Sequence, residues 1–252
     1  MNALRVSISN AFGRSVRRTS KYDSYYSAYA QILEPVLARR KACGATVKLL
    51  EIGVMDGGSL EAWKTVLGPN SLVVGLDLNP DCARLSCDSY KVFIGDQASP
   101  ATWNELIGNC GHFDIIIDDG SHIGFSQAKT VDYALAGAIG VDGVVIVEDT
   151  HTAYMDKFHG DGVGINFMDK VGDLIARINS RSIRLREEPS SRLSYVRDDD
   201  IARRSIESLI VFESLVAINI KRNLLDSGIS GSHGQGGNHI TEDMRGASKF
   251  HL

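Results

Sequence analysis

Cysteine is scarce and unpatterned in these 252 residues: Cys43, Cys82, Cys87 and Cys110 form no CxxC pair and no zinc-type spacing with histidine. That excludes a disulfide framework and a structural zinc site, and reads as reduced thiols of an intracellular chain. No apolar stretch approaches the roughly 20 residues that span a bilayer. The first residues, MNALRVSISNAFGRSVRRTSKY, are basic but carry no continuous apolar run of the signal-peptide kind, so a cytoplasmic protein is expected and no membrane partner. Positive charge is not in excess either. A net charge of -4 gives no basic field for nucleic acid. No GxSxG elbow occurs, which sets a hydrolase aside, and there is no internal repeat.

What is present is the composition of a globular protein, 43% hydrophobic and 23% charged, long enough for one large α/β domain or two small ones. Residues 1 to about 20 are Ser/Arg-rich and are expected to be mobile, or ordered only against a partner. Tyr22 to Cys43 has helical spacing, with Pro35 expected to kink or divide it. Apolar runs then alternate with helical segments. Val47–Ile52, Ser71–Leu76, Lys91–Ile94, Phe113–Ile117 and Gly143–Val147 read as strands. Helices fall at SLEAWKTVL, Ala101–Ile107 and Ser126–Ala138. Such alternation marks a parallel sheet covered on both faces. His151–Gly164 reads as a loop and Phe167–Ile178 as a helix. Ile206–Phe212 and Leu215–Lys221, joined only by Glu213-Ser214, read as an antiparallel hairpin at the sheet edge. The tail from Asp226 is Gly/Ser-rich and is expected to be disordered. Three parts result: a helical cap over 1–45, an α/β domain over 46–222 and the tail over 223–252.

Chemistry concentrates where strands end. Glu51-Ile52-Gly53-Val54-Met55-Asp56-Gly57-Gly58-Ser59 turns the first strand into a helix, and its glycines let backbone approach a ligand at a helix N-terminus. Taken alone, the loop serves equally as a tight turn. Glu51 suits a cationic ligand, Asp77 ends the second strand where an acid can accept ribose hydroxyls, and Asp96-Gln97 lies where an adenine edge would be held. The spacing is not the GxGxxG of nicotinamide enzymes, which stay a weaker alternative. S-adenosylmethionine (SAM) fits better.

The fourth strand runs into Asp118-Asp119-Gly120-Ser121-His122 and the fifth into Glu148-Asp149-Thr150-His151. One acid at a strand end is often just a helix cap. Two doublets at one edge repel each other unless a cation intervenes, and all-oxygen ligands suit Mg²⁺, with Mn²⁺ as the alternative. His151 or His122 then stands where a general base would take a hydroxyl proton.

VKLLEIGVMDGGSLEAWKTVL, VVGLDLNP, VFIGDQ, FDIIIDDGSH and VVIVEDTHTAY, in that order, resemble class I SAM-dependent methyltransferases. The resemblance is closest to the metal-dependent sugar O-methyltransferases of macrolide pathways, with the cephalosporin hydroxylase-like methyltransferases related. It covers about Thr19 to Lys221. It implies a Rossmann-like, seven-stranded, mostly parallel sheet with an antiparallel last strand and helices on both faces. SAM contacts are expected at Glu51, Gly53, Asp77 and Asp96, with Gly57, Ser59, Gln97 and Asp118 in the same set. Asp119, Glu148 and Asp149 would hold the metal, His151 would be the base, and His122 is the second candidate. Tyr26 stands where the family often has histidine, and no counterpart of the extra N-terminal domain of the macrolide enzymes is expected. The implied reaction is O-methylation of a sugar hydroxyl on an antibiotic-type glycoside by a homo-oligomer, a dimer or tetramer. An aminosugar N-methyltransferase and a non-catalytic SAM- or partner-binding module are the alternatives.

Overall fold

The computed structural model describes residues 2–159, 164–182, 185 and 190–225. Seven strands form one sheet: β1 Lys48–Ile52, β2 Leu72–Asp77, β3 Lys91–Ile94, β4 Phe113–Asp118, β5 Ile139–Glu148, β6 Ile206–Phe212 and β7 Leu215–Ile220. Their spatial order is β3-β2-β1-β4-β5-β7-β6, with β7 antiparallel to both of its neighbours. The five strands from β3 to β5 are mutually parallel. This is the expected α/β architecture. The hairpin is at the edge as predicted, its second strand being the one that joins the sheet.

The period-2 alternation of each strand sorts its side chains into two cores. Leu49, Ile115, Ile117, Val144 and Ile146 face one side, under helices α1 (Ala3–Gly13), α2 (Asp23–Ala42) and α3 (Gly58–Leu67). Leu50, Ile116, Val145 and Val147 face the other, under α4 (Pro100–Cys110), α5 (Gly124–Tyr133), α6 (Phe167–Asn179) and α7 (Ile201–Ser205). On the first side Trp63 takes Phe12 and Tyr29 edge-on, at 5.1 and 5.0 Å between ring centroids. Such aromatic pairs add about 0.5–1.5 kcal/mol each beyond area burial.

Three expectations are corrected. Residues 3–13 pack against this chain's own core. They form α1, whose Ile8, Ala11 and Phe12 are buried in the first core. The apolar stripe is real but interleaved with Ser, Arg and Asn, which hid its period. Pro35 neither kinks α2 to a stop nor divides it, and one helix runs from Asp23 to Ala42. Pro35 lies on the exposed side, where the unbonded carbonyl one turn back meets water. The helix expected to reach Ala138 ends as an α-helix at Tyr133. A wider turn over Ala134–Ala138 follows, closed by Gly137 at φ 144°, and β5 starts at Ile139. The loop after Asp149 carries short 3-10 turns at Thr150–Tyr154 and Asp156–Phe158. The tail from Asp226 lies outside the described residues. Among the described residues no helix is long and apolar enough to cross a membrane.

Candidate functional site

Strand order reverses direction between β1 and β4, so the connections from their carboxyl ends leave on opposite faces and a crevice opens between them. Gly53 follows β1 and Asp119-Gly120 follows β4. The approach is close enough that a Cβ on Gly53, whose φ is +90°, would fall 2.0 Å from the Asp119 carbonyl oxygen. Only glycine fits there. Two cavities meet over this contact, sharing Gly53, Asp77 and Gly120. The first, about 420 Å³, is lined by Leu76, Asp96, Gln97 and Ser121 among others. The second, about 370 Å³, is lined by Thr19, Ser20, Met55, Ser59, Asp119, His122 and Asp149. A larger cavity of about 630 Å³ opens elsewhere, between α1, α3 and residues 87–90, and contains neither acid cluster.

Three non-glycine residues lining the second cavity hold left-handed backbone: Met55 (φ 49°), His122 (φ 58°) and Asp149 (φ 53°). Such conformations cost about 1–3 kcal/mol each and gather at functional sites. They are over-determined here by bonds from the surrounding frame. Asp77 braces the glycine loop, its Oδ2 accepting from Val54 N at 2.8 Å and Met55 N at 3.3 Å. Tyr25, from α2, brings its hydroxyl 2.7 Å from Asp149 Oδ1 and accepts from Asp149 N at 3.1 Å.

The eight expected donor contacts separate by depth. Gly53, Asp77, Asp96 and Gln97 line the first cavity, and Ser59 the second. Asp118 is fully buried beneath the crevice, its Oδ2 taking a 2.8 Å bond from Gln97 Nε2 and its Oδ1 a 3.2 Å bond from Gly120 N. Burial pushes its carboxyl up, with the Thr130, Gly120 and Gln97 bonds opposing. Gly57 lies at the start of α3 against Tyr90 and Arg17, away from both cavities. Glu51 is fully buried and lines neither cavity, and its Oε2 has no hydrogen-bond partner.

The acids fall into two groups, each with ligand atoms within 4.8 Å of one another: Asp119 with His122 and Asp149, and Glu51 with Asp119 and Glu148. The three expected metal ligands are thus divided, with Asp119 common to both groups. The inner group already contains a cation that sequence reasoning missed. Lys21, its side chain 2% exposed, donates to Asp119 Oδ2 at 2.6 Å, Glu51 Oε1 at 3.1 Å and both Glu148 oxygens at 2.8 and 3.0 Å. Tyr29 bonds Glu148 from α2. Burial alone would lower Lys21, but Glu148, Tyr29, Glu51 and Asp119 hold it well above the ordinary lysine range. Burial raises Glu148, with Lys21 pulling it back. Lys21 thus shares its charge among Asp119, Glu148 and Glu51. The only signal in the sequence was the crowding of acids, which demands some cation.

The two histidines part company. His122 lines the second cavity, its Nε2 3.6 Å from Asp149 Oδ2 and its buried Nδ1 without a partner. His151 bonds Ser214 through Nδ1, faces the ring of Tyr22 and lines a separate cavity of about 240 Å³ with Ser24 and Glu213. The two carboxylates of the outer group fit a divalent ion, with the His122 imidazole beside them, whereas the inner group fits one only at the expense of Lys21.

No family model matches the chain. Demethylmacrocin O-methyltransferase of Streptomyces fradiae is 37% identical over 122 residues, 46% of this chain and 30% of that protein. Mycinamicin VI 2''-O-methyltransferase of Micromonospora griseorubida is 35% identical over 121 residues, 45% and 30% respectively. Among solved structures, the methyltransferase of the mycinamycin pathway in complex with Mg and SAH superposes with a TM-score of 0.69 at 22% identity. That alignment covers 98% of this chain and 59% of the other. The chain thus spans less than two thirds of the length of the relatives it matches. At that level of identity the superposition establishes the fold, a Rossmann-like methyltransferase sheet.

Proposed function

We propose that this chain, which has the class I methyltransferase fold, transfers the methyl group of SAM to a sugar hydroxyl of a natural-product glycoside with the help of a divalent ion. The observation that carries this reading is the meeting of the glycine loop with Asp119, His122 and Asp149 around one cavity. The similar proteins named above are O-methyltransferases by name, and the superposed structure was solved with Mg and SAH.

Asp77, Asp96 and Gln97 of the first cavity would hold the adenosine end of SAM, which when bound would supply the methyl group. Asp119 and Asp149 hold the ion, and Glu148 stands behind them. When bound, a divalent ion lowers the pKa of a hydroxyl next to it and stabilises developing negative charge. His122 Nε2 takes the hydroxyl proton, and Asp149, 3.6 Å away, stabilises the imidazolium that results. The rigid crevice contributes alignment of acceptor oxygen, methyl carbon and sulfur. His122 replaces His151 as the preferred base, because His122 shares the cavity with the acids. The first 45 residues act as a cap on this edge through Thr19, Ser20 and Lys21. Self-association as a dimer or tetramer is part of the proposal, and light scattering on the purified chain reads it directly.

Isotope-labelled SAM offered with a panel of glycosides, with and without Mg²⁺ and followed by mass spectrometry, tests the whole reading. Label should appear on glycosides with a free sugar hydroxyl and vanish on chelation. Undiminished transfer after thorough chelation removes the metal from the mechanism. Asp149→Ala should abolish transfer and retain SAH binding. His122→Ala should slow transfer by about a hundredfold or more, the span of general-base catalysis. If His151→Ala instead produced that loss while His122→Ala kept full rate, the assignment would be reversed.

A further inference from the structure

Lys21 sits in the part of the acid group that a divalent ion would also claim. Its ammonium reaches acids 30, 98 and 127 residues away in sequence, one from the tip of each of β1, β4 and β5. Two of those acids, Asp119 and Glu148, belong to the set expected to bind metal. Glu51 Oε2 beside them is buried and lacks any hydrogen-bond partner, so the inner group is not saturated by one ammonium.

Lys21 is also the end of a strap. Between α1 and α2 the chain crosses the first turn of α3, where Glu61 accepts from Ser15 Oγ at 2.9 Å, from the backbone N–H of Val16 and Arg17 at 3.2 Å each, and from Arg17 Nε at 3.0 Å. Arg17 carbonyl lies so close that a Cβ on Gly58 would stand 2.4 Å from it. Thr19 and Ser20 then line the second cavity before Lys21 enters the acids. Glu61 pins one end of the strap and Lys21 pins the other.

We infer that Lys21 is a tethered cation that competes with the divalent ion for Asp119 and Glu148, and so ties the ion's occupancy to the strap over the second cavity. The inference rests on the divalent-ion part of the proposed function. Two cations a few ångströms apart repel, and in a partly buried site that repulsion is weakly screened. An ion that recruits Glu148 must draw it from Lys21, which keeps Glu51. Lys21 is therefore a positioning residue. In the metal-free protein it gathers three strand tips that would otherwise push apart.

The test is Mn²⁺ binding, read from the electron paramagnetic resonance of free Mn²⁺ added to the metal-free full chain. Lys21→Met should bind Mn²⁺ at least about tenfold more tightly than the unsubstituted chain, because a repelling charge is gone and Glu148 is released. Lys21→Arg, which keeps the charge, should bind like the unsubstituted chain. Loss of a merely structural residue would move the affinity the other way. Should Lys21→Met fail to fold, the charge-balanced double variant Lys21→Met with Glu51→Gln gives the same reading. Equal or weaker Mn²⁺ binding by the folded Lys21→Met variants overturns the inference, and it leaves the metal-assisted reading standing if the unsubstituted chain binds. Binding by the Lys21→Met variants alone supports the inference and removes the metal from the proposed reaction. Absence of binding in every form overturns both.

Discussion

Single side chains decide the local chemistry of this crevice. The Tyr25 hydroxyl serves Asp149 on both its carboxylate and its backbone N–H, and it also lies 3.0 Å from Ser214 Oγ. Burial pushes its phenol up, so it stays a neutral donor throughout the working range. Tyr25→Phe should cost about 1 kcal/mol in a urea titration, the ordinary loss of a buried hydrogen bond. It should also weaken Mn²⁺ binding, because Asp149 loses its guide. The thiols form a second residue-level case. Burial, followed by Asp77, pushes Cys82 up to about 11, and Cys110 is also buried while Cys43 and Cys87 are exposed. Since the thiolate is the reactive form, Ellman's reagent at pH 8 should titrate two thiols promptly and the other two only after unfolding. Prompt reaction of all four would contradict the burial.

At the scale of elements, the glycine loop and α2 make opposite predictions. Gly53→Ala places a methyl group against the Asp119 carbonyl at a left-handed φ, and neither backbone can retreat without dismantling β1 or β4. The variant should lose about 2 kcal/mol or more of stability, and SAH binding with it. Calorimetry with SAH and a thermal scan check both. Pro35 is the reverse case. It sits exposed inside an intact helix, so it removes one intrahelical bond and contributes nothing to the core. Pro35→Ala should stabilise the chain by about 1–3 kcal/mol in urea. A neutral or destabilising result would show that the proline sets the path of α2 toward Tyr25 and Tyr29.

Across the whole molecule, the sheet is a frame whose carboxyl edge gathers acids that Lys21 offsets only in part. Ligand binding to the folded state alone raises its stability by mass action, so SAH at a hundred times its Kd should add about 2.7 kcal/mol and shift the melting temperature up. Chelation should behave differently. Lys21 still pairs with Glu51, Asp119 and Glu148 in the absence of metal, so removing divalent ions should end turnover and lower the melting temperature only by the mass-action contribution of the lost ion. Loss of cooperative unfolding on chelation would mean that the metal, rather than the lysine, holds the strand tips.

The alternation of apolar runs with helices was readable from residue types, because Leu49-Leu50, Ile115–Ile117 and Val144–Val147 must be buried on both faces. The acids ending those runs had to line one edge, since parallel strands present all their carboxyl ends together. α1 was hidden, its few apolar residues spaced among serines and arginines, and burial against Trp63 completes it. The choice between His122 and His151 was also undecidable in one dimension, as each follows an acid at a strand tip. Backbone angles at Asp149 and His122 send one imidazole into the cavity and leave the other beside Ser214. Lys21 is the extreme case: a lone lysine in a polar stretch carries no periodicity, and its partners lie up to 127 residues away. Charge pairing over such separations follows from packing α2 across the sheet, which is a property of three-dimensional closure and of no local pattern.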